Sequence, residues 1–171
     1  MSYKFNTSKN MLSFILNSYS LLETPKRIGK DNFIGYNHKI LGDYPEDLIT
    51  VSEAKDLFFK DLESIEKYIL IKSIKSKIDE DLYNVLIHFT FDYGKNVLKN
   101  SKFYLYIKQN NKNKVLEELE RYKTYRNSVD TSNIDRRSFD IFLLTTGTYK
   151  QKDKQYGNKK RSSKKNVGFR F

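Results

Sequence analysis

The chain has 171 residues, 38% of them hydrophobic, which is enough for one domain with a buried core. No cysteine and only two histidines exclude a disulfide framework and a thiolate metal site, so neither a metal nor a cofactor is expected. The formal charge of +11 is uneven: residues 148–171 carry nine Lys or Arg against Asp153 alone, a net +8, while residues 1–147 stand at +3. No apolar run approaches the ~18 residues of a membrane span, and the opening Met-Ser-Tyr-Lys-Phe-Asn lacks the apolar stretch of a leader. A soluble protein without signal peptide, transmembrane segment or membrane partner is therefore expected.

In chain order, residues 11–22 place apolar side chains at 11, 12, 15, 16 and 19, the spacing of a short helix. Pro25, Gly29, Gly35, Gly42 and Pro45 then punctuate a stretch whose apolar content is Ile28, Phe33, Ile34, Tyr36, Ile40 and Leu41. That composition predicts a β-hairpin or three-stranded sheet, the only sheet of the protein. At Thr50 the period changes to 3.6. Thr50-x-x-Glu53 is a capping box, and Ala54, Leu57, Phe58, Leu62, Ile65 and Ile69 form the stripe of the helix it opens.

A second long helix is expected over residues 79–93, with Leu82, Val85, Leu86 and Phe89 inward and Gly94 ending it. The near-continuous run of Val85, Leu86, Ile87, Phe89 and Phe91 marks it as buried on most sides. Ser101 can cap a short helix through Ile107, Asn113 another through Tyr122, and Asp135 a last one ending at Gly147. The expected class is thus α+β, a small sheet followed by a helical lobe over residues 1–147. Residues 148–171 have no apolar periodicity and read as a basic C-terminal arm.

Four segments, in order, resemble the phage-type lysozyme and endolysin family, glycoside hydrolase family twenty-four. Ile34-Gly35-Tyr36-Asn37-His38 is similar to its hairpin motif, usually Thr-Ile-Gly-Tyr-Gly-His, and Ile49-Thr50-Val51-Ser52-Glu53-Ala54 through Asp61-Leu62 to its Ile-Thr-x-x-Glu-Ala helix start. Leu86-Ile87-His88-Phe89-Thr90-Phe91-Asp92-Tyr93-Gly94 resembles Leu-Val-x-Phe-x-Phe-Asn-x-Gly, and Arg136-Arg137-Ser138-Phe139-Asp140 through Leu143 resembles the terminal Arg-Arg-x-x-Glu helix. The resemblance implies a lysozyme-like fold over roughly residues 11–147 and gives the arm no counterpart.

Glycoside cleavage in that family implies a protonated carboxyl that donates to the leaving oxygen, followed by an Asp and a Thr ahead of the motif histidine. Counting back from His38 without gaps puts Ser18 at the glutamate, Arg27 at the aspartate and Phe33 at the threonine. A serine has no proton to give near neutral pH, an arginine cannot act as base, and a phenylalanine cannot position water. No catalytic residue is expected on this count. A shifted alignment, which needs a deletion between helix and hairpin, makes Glu23 the acid and Asp31 its partner. His38 is expected to fix the hairpin, His88 to be a satisfied core residue, and Arg136 and Arg137 to anchor the last helix through hydrogen bonds.

Three readings of function follow. The first is a catalytically degenerate lysozyme fold used as a structural or adaptor component of a virion or tail, found in the virion or host cytoplasm. Its arm would reach neighbouring phage structural proteins through Lys159, Lys160, Arg161, Lys164, Lys165, Phe169, Arg170 and Phe171, with packaged DNA nearby. The second is an active muramidase cleaving the β-1,4 bond between N-acetylmuramic acid and N-acetylglucosamine in peptidoglycan. The third is a nucleic-acid binder acting through the arm alone.

Overall fold

The computed structural model describes residues 5–42, 48–71, 78–124 and 131–149. Helix α1 (Lys9–Ser18) leads into strands β1 (Leu22–Ile28), β2 (Asp31–Gly35) and β3 (His38–Lys39), followed by α2 (Val51–Ile71), α3 (Glu80–Asn100), α4 (Lys102–Lys108), α5 (Lys112–Tyr122) and α6 (Thr131–Thr146). The class is α+β. The three strands form one antiparallel sheet in the order β1-β2-β3.

Local chemistry sets most element ends. Ser8 caps α1 by accepting from the Met11 amide, and Tyr19 turns extended, so the helix stops four residues short of the expected Leu22, which instead opens β1. The Thr50–Glu53 box forms in full. The Glu53 carboxylate accepts from the Thr50 amide at 2.8 Å, and the Thr50 hydroxyl accepts from the Glu53 amide at 3.2 Å.

Asp79 caps α3 through the Leu82 amide. Gly94, with φ of 83°, breaks the helical path where expected, but helix resumes beyond it to Asn100. Ser101 caps α4 as read. For α5 the cap is Asn111, not Asn113, because its side chain accepts from the Lys114 amide. Helix α6 begins at Thr131, four residues before the expected Asp135.

The sheet reaches the helices through a close contact. Gly35 has φ of 58°, and a Cβ there would lie 3.3 Å from the Cβ of Ala54 on α2. A side chain would be strained by conformation and by space together. Asn37, with φ of 69°, follows in the β2–β3 turn and donates from its amide to the Phe91 carbonyl of α3 at 3.4 Å. Tyr36 then packs edge-on to Phe58, and Phe58 edge-on to Phe91, which carries the hairpin onto α2 and α3.

Helix α3 is the centre of the core. Every residue from Leu82 to Phe91 is buried. Phe89 stacks on Phe103 of α4 at 4.3 Å between ring centroids and meets Tyr122 of α5 at 4.7 Å. Phe14 of α1 stacks on Phe139 of α6 at 3.6 Å. On α2, Ala54, Phe58, Leu62, Ile65 and Ile69 are buried as read, Leu57 is half-buried, and the fully buried Glu66 shares their face. Its carboxylate accepts from the Asn6 and Thr7 amides and the Thr7 hydroxyl, holding the start of the chain against α2.

Tyr149, read as part of the arm, belongs to the packed domain. Its hydroxyl bonds Ser8 Oγ and accepts from the Asn84 amide, both at 2.8 Å, and its ring lies 6.0 Å from Phe139. The described residues contain no helix long and apolar enough to cross a membrane.

Leu86 is fully enclosed at the middle of α3. Leu86→Ala is expected to destabilise the fold by about 2–5 kcal/mol, the range for truncating a packed aliphatic side chain, measured as a shift in chemical denaturation.

Candidate active site

Ser18 is the last residue of α1, and its hydroxyl donates to the Phe14 carbonyl one turn back at 2.7 Å. Arg27 sits exposed on β1, paired across the sheet with Asn32, and its Nε donates to the Gly29 carbonyl at 3.3 Å. Phe33 is half-buried on β2, opposite Lys26 and Lys39. The three positions together hold a hydroxyl, a guanidinium and a phenyl ring.

The two carboxyls of the shifted alignment are not brought together. Glu23 is exposed next to Leu22, whose cross-strand partner is Gly35, and its carbonyl accepts from the Ile49 amide at 2.9 Å. Asp31 lies at the other end of β2, opposite Ile28, in an ion pair with Lys39 at 2.9 Å. The register sets the two positions toward opposite ends of the β1–β2 hairpin, Glu23 beside the Leu22–Gly35 pair and Asp31 at the Ile28 pair. Between the Leu22–Gly35 and Lys26–Phe33 pairs, β1 also holds two residues more than β2, a bulge in the strand that carries Glu23.

Tyr19, immediately after Ser18, lies under the Arg136 guanidinium at 4.9 Å and edge-on to Phe91. Behind it, α3 and α6 meet through charge. Asp92 on α3 receives Arg137 Nη2 on one oxygen, while Arg136 Nε approaches both oxygens at 3.1 and 3.2 Å. Arg137 also pairs with Asp140 one turn along α6 at 3.0 Å. His88, one turn before Asp92, completes the cluster with its Nδ1 2.7 Å from Asp140 Oδ1.

His88, Arg137 and Asp140 are fully buried and Asp92 is 3% exposed. Burial pushes the His88 imidazole down to about 4, so it is neutral and Nδ1–H donates to Asp140. Burial raises the Asp92 carboxyl above the ordinary carboxylate value, against the pull of both guanidiniums. His88 Nε2 and Arg137 Nε and Nη1 have no hydrogen-bond partner among the described residues. His88 is thus a core residue as read, though not a fully satisfied one.

On the sheet side, His38 of β3 bonds Asp61 of α2 at 2.8 Å, with each side chain about one-third exposed. The hydrogen bond to Asp61 raises the imidazole above the ordinary histidine value, and partial burial opposes it. The expected hairpin-fixing role of His38 has this bond as its means.

The family model described as phage lysozyme matches residues 21–139, from the first strand into the last helix. The chain belongs to the phage lysozyme family. Among solved structures it resembles the muramidase domain of SpmX from Asticaccaulis excentricus, with TM-score 0.65 and 16% identity over 84% of this chain and 99% of that one. It also resembles an endolysin from Escherichia coli O157:H7 phage FAHEc1, with TM-score 0.62 and 16% identity over 88% of this chain and 100% of that one. No curated protein matches. The fold is lysozyme-like, an α+β arrangement of small sheet and helical lobe.

Within that fold, Arg136 and Arg137 anchor the last helix as expected, but the anion that receives both is Asp92, which carried no assigned role in the sequence. It stands where the lysozyme motif has Asn. The signals were His88-x-x-x-Asp92 on one helix and Arg137-x-x-Asp140 on another, each a same-face pair. Neither spacing says that the two pairs face each other. The arm residues Lys159, Lys160, Arg161, Lys164, Lys165, Phe169, Arg170 and Phe171 lie outside the described residues. Among the described residues no group of His, Cys, Asp or Glu is placed to hold a metal ion.

Asp92→Asn leaves the Arg136 and Arg137 guanidiniums without their shared anion and is expected to destabilise the protein by about 3–5 kcal/mol in denaturant titration. The histidines give opposite pH dependences. His38, raised in the folded state, stabilises fully below its unfolded value of 6.5, and that contribution fades as pH rises through the raised value. His88, lowered when folded, stabilises fully above 6.5, and that contribution is lost as pH falls towards about 4. Unfolding free energies between pH 5 and 8 are therefore expected to lose their acid-side decline in His88→Gln and their alkaline-side decline in His38→Gln.

Proposed function

We propose that the protein is a phage lysozyme fold that does not cleave peptidoglycan and acts as a structural or adaptor component of a virion or tail. Family membership and the lysozyme-like fold support a muramidase-type function in the broad sense. The finer reading rests on one observation. By the ungapped count back from His38, the position from which the family donates its proton falls on Ser18, whose hydroxyl is turned back onto the Phe14 carbonyl of its own helix. The neighbouring positions carry Arg27 and Phe33, so a proton donor and a carboxylate to meet the developing cation are both missing from that set. Asp92, between α3 and α6, is held by two guanidiniums and its side chain is 3% exposed.

The adaptor role falls to the arm. Its basic run carries most of the net charge, and Phe169-Arg170-Phe171 at its end offers two aromatic anchors, a composition suited to folding along an acidic neighbouring subunit.

The second reading, an active muramidase with Glu23 as acid, is favoured by family membership and by the exposure of Glu23. A turbidity assay on purified peptidoglycan separates the two. No clearing is expected from the wild-type protein, and none from Ser18→Glu, since Arg27 and Phe33 leave the second half of the chemistry unsupplied. Lysis abolished by Glu23→Gln would overturn the proposal. Deletion of residues 150–171 is expected to leave the melting temperature nearly unchanged while removing the protein from assembled particles, read by immunoblot of purified virions.

A further inference from the structure

Between Asp92 and Glu117 the chain contains six lysines, Lys95, Lys99, Lys102, Lys108, Lys112 and Lys114, with no aspartate, glutamate or arginine. The fold gathers this stretch into one corner. The end of α3, α4 and the start of α5 pack on each other through Leu98, Phe103, Ile107 and Val115, all buried. Lys95 is half-buried and the other five lysines are exposed.

None of the six forms an ion pair with a described residue, whereas Lys39, Lys67 and Lys123 each do. Of the acids near this corner, Glu63 pairs with Lys67, Glu118 with Arg121 and Glu120 with Lys123, Asp79 caps the Leu82 amide, and Glu117, exposed on α5, forms no ion pair with a described residue. Asp81 feels Lys112 at a distance without pairing.

Helix stability does not explain the pattern. Lys112 and Lys114 stand in the first turn of α5, which has no acid, so they oppose the positive end of the helix dipole.

We propose that this corner is a docking surface for the phosphate backbone of duplex DNA, a role independent of whether the cleft cleaves glycan. Three features select that partner. Lysine is a compact point charge suited to phosphate, and the absence of arginine removes the fork that reads base edges. The tyrosine faces that would stack unpaired bases are taken, because Lys95 lies over Tyr68 at 5.7 Å, Lys108 over Tyr104 at 5.0 Å and Lys114 over Tyr106 at 5.2 Å. The charges also ride on packed helices and therefore match a stiff rod of regularly spaced phosphates by releasing its counterions.

The test is a salt titration of full-length protein with a short DNA duplex, beside a variant with all six lysines changed to Gln, the arm being the same in both. Loss of six phosphate contacts is expected to reduce the slope of log K against log salt by about 5. A second variant, Lys112→Glu with Lys114→Glu, removes the unfavourable charge from α5 and completes an Asn111-x-x-Glu capping box. It is expected to melt at higher temperature than wild type while binding DNA at least about tenfold more weakly. An unchanged slope in the six-Gln variant would assign all DNA binding to the arm and overturn the proposal. So would tighter binding of wild type to a poly(glycerol phosphate) chain of equal charge, or to single-stranded DNA, than to the duplex.

Discussion

Asp92 sits at the junction of α3 and α6, almost without solvent, and receives both guanidiniums of the Arg136–Arg137 pair. In a medium of low polarity an isolated charge is costly, and each partner here is tolerable only because the other is present. Helix α6 therefore cannot rotate or slide on α3 without separating charges it cannot rehydrate. Apolar burial would hold the two helices together in several registers, and the ion cluster admits one. His88 and Asp140 extend the same constraint along both helices, and Phe14 of α1 packs on His88 and Phe139 together.

From that junction the placement of the sheet against the helices follows. Arg136 carries the ring of Tyr19 on its face, and Tyr19 meets Phe91 edge-on, so the turn from α1 into β1 is set by a side chain of the last helix. The sheet is fixed from its other end by His38 on Asp61 and by the contact of Gly35 with Ala54. Between these anchors Asn37 reaches the Phe91 carbonyl. The relation of sheet to helical lobe thus depends on one buried ion cluster and on a few polar contacts of modest strength, a distribution that leaves the hairpin less tightly held than the core.

The same cluster commits the carboxyl that lies behind Tyr19, since Asp92 is held by the two arginines, one of which covers the Tyr19 ring. Glu23, exposed, and Asp31, half-buried and paired with Lys39, sit at opposite ends of the hairpin. Among the described residues, charge is paired and buried between α3 and α6, while the corner made by α4 and its neighbours carries six lysines without an ion pair.

The sequence by itself determined the class, the order of elements and the helix starts that rest on local chemistry, because Thr50, Asp79 and Ser101 act within four residues of themselves. It also determined the buried face of α3, whose apolar run has one possible placement, and the roles of the motif histidine and of the arginine pair by likeness to a family. Where local signals compete, as at Asn111 against Asn113 or at the end of α1, the backbone decided. Tertiary structure alone decided that Asp92 faces Arg136 and Arg137 across 44 and 45 residues of chain, that Glu66 closes over Thr7, and that Glu23 and Asp31 stand toward opposite ends of the hairpin. Periodicity reports which face of an element is buried, not which charge lies opposite, and pairing between distant elements exists only once packing has chosen their register.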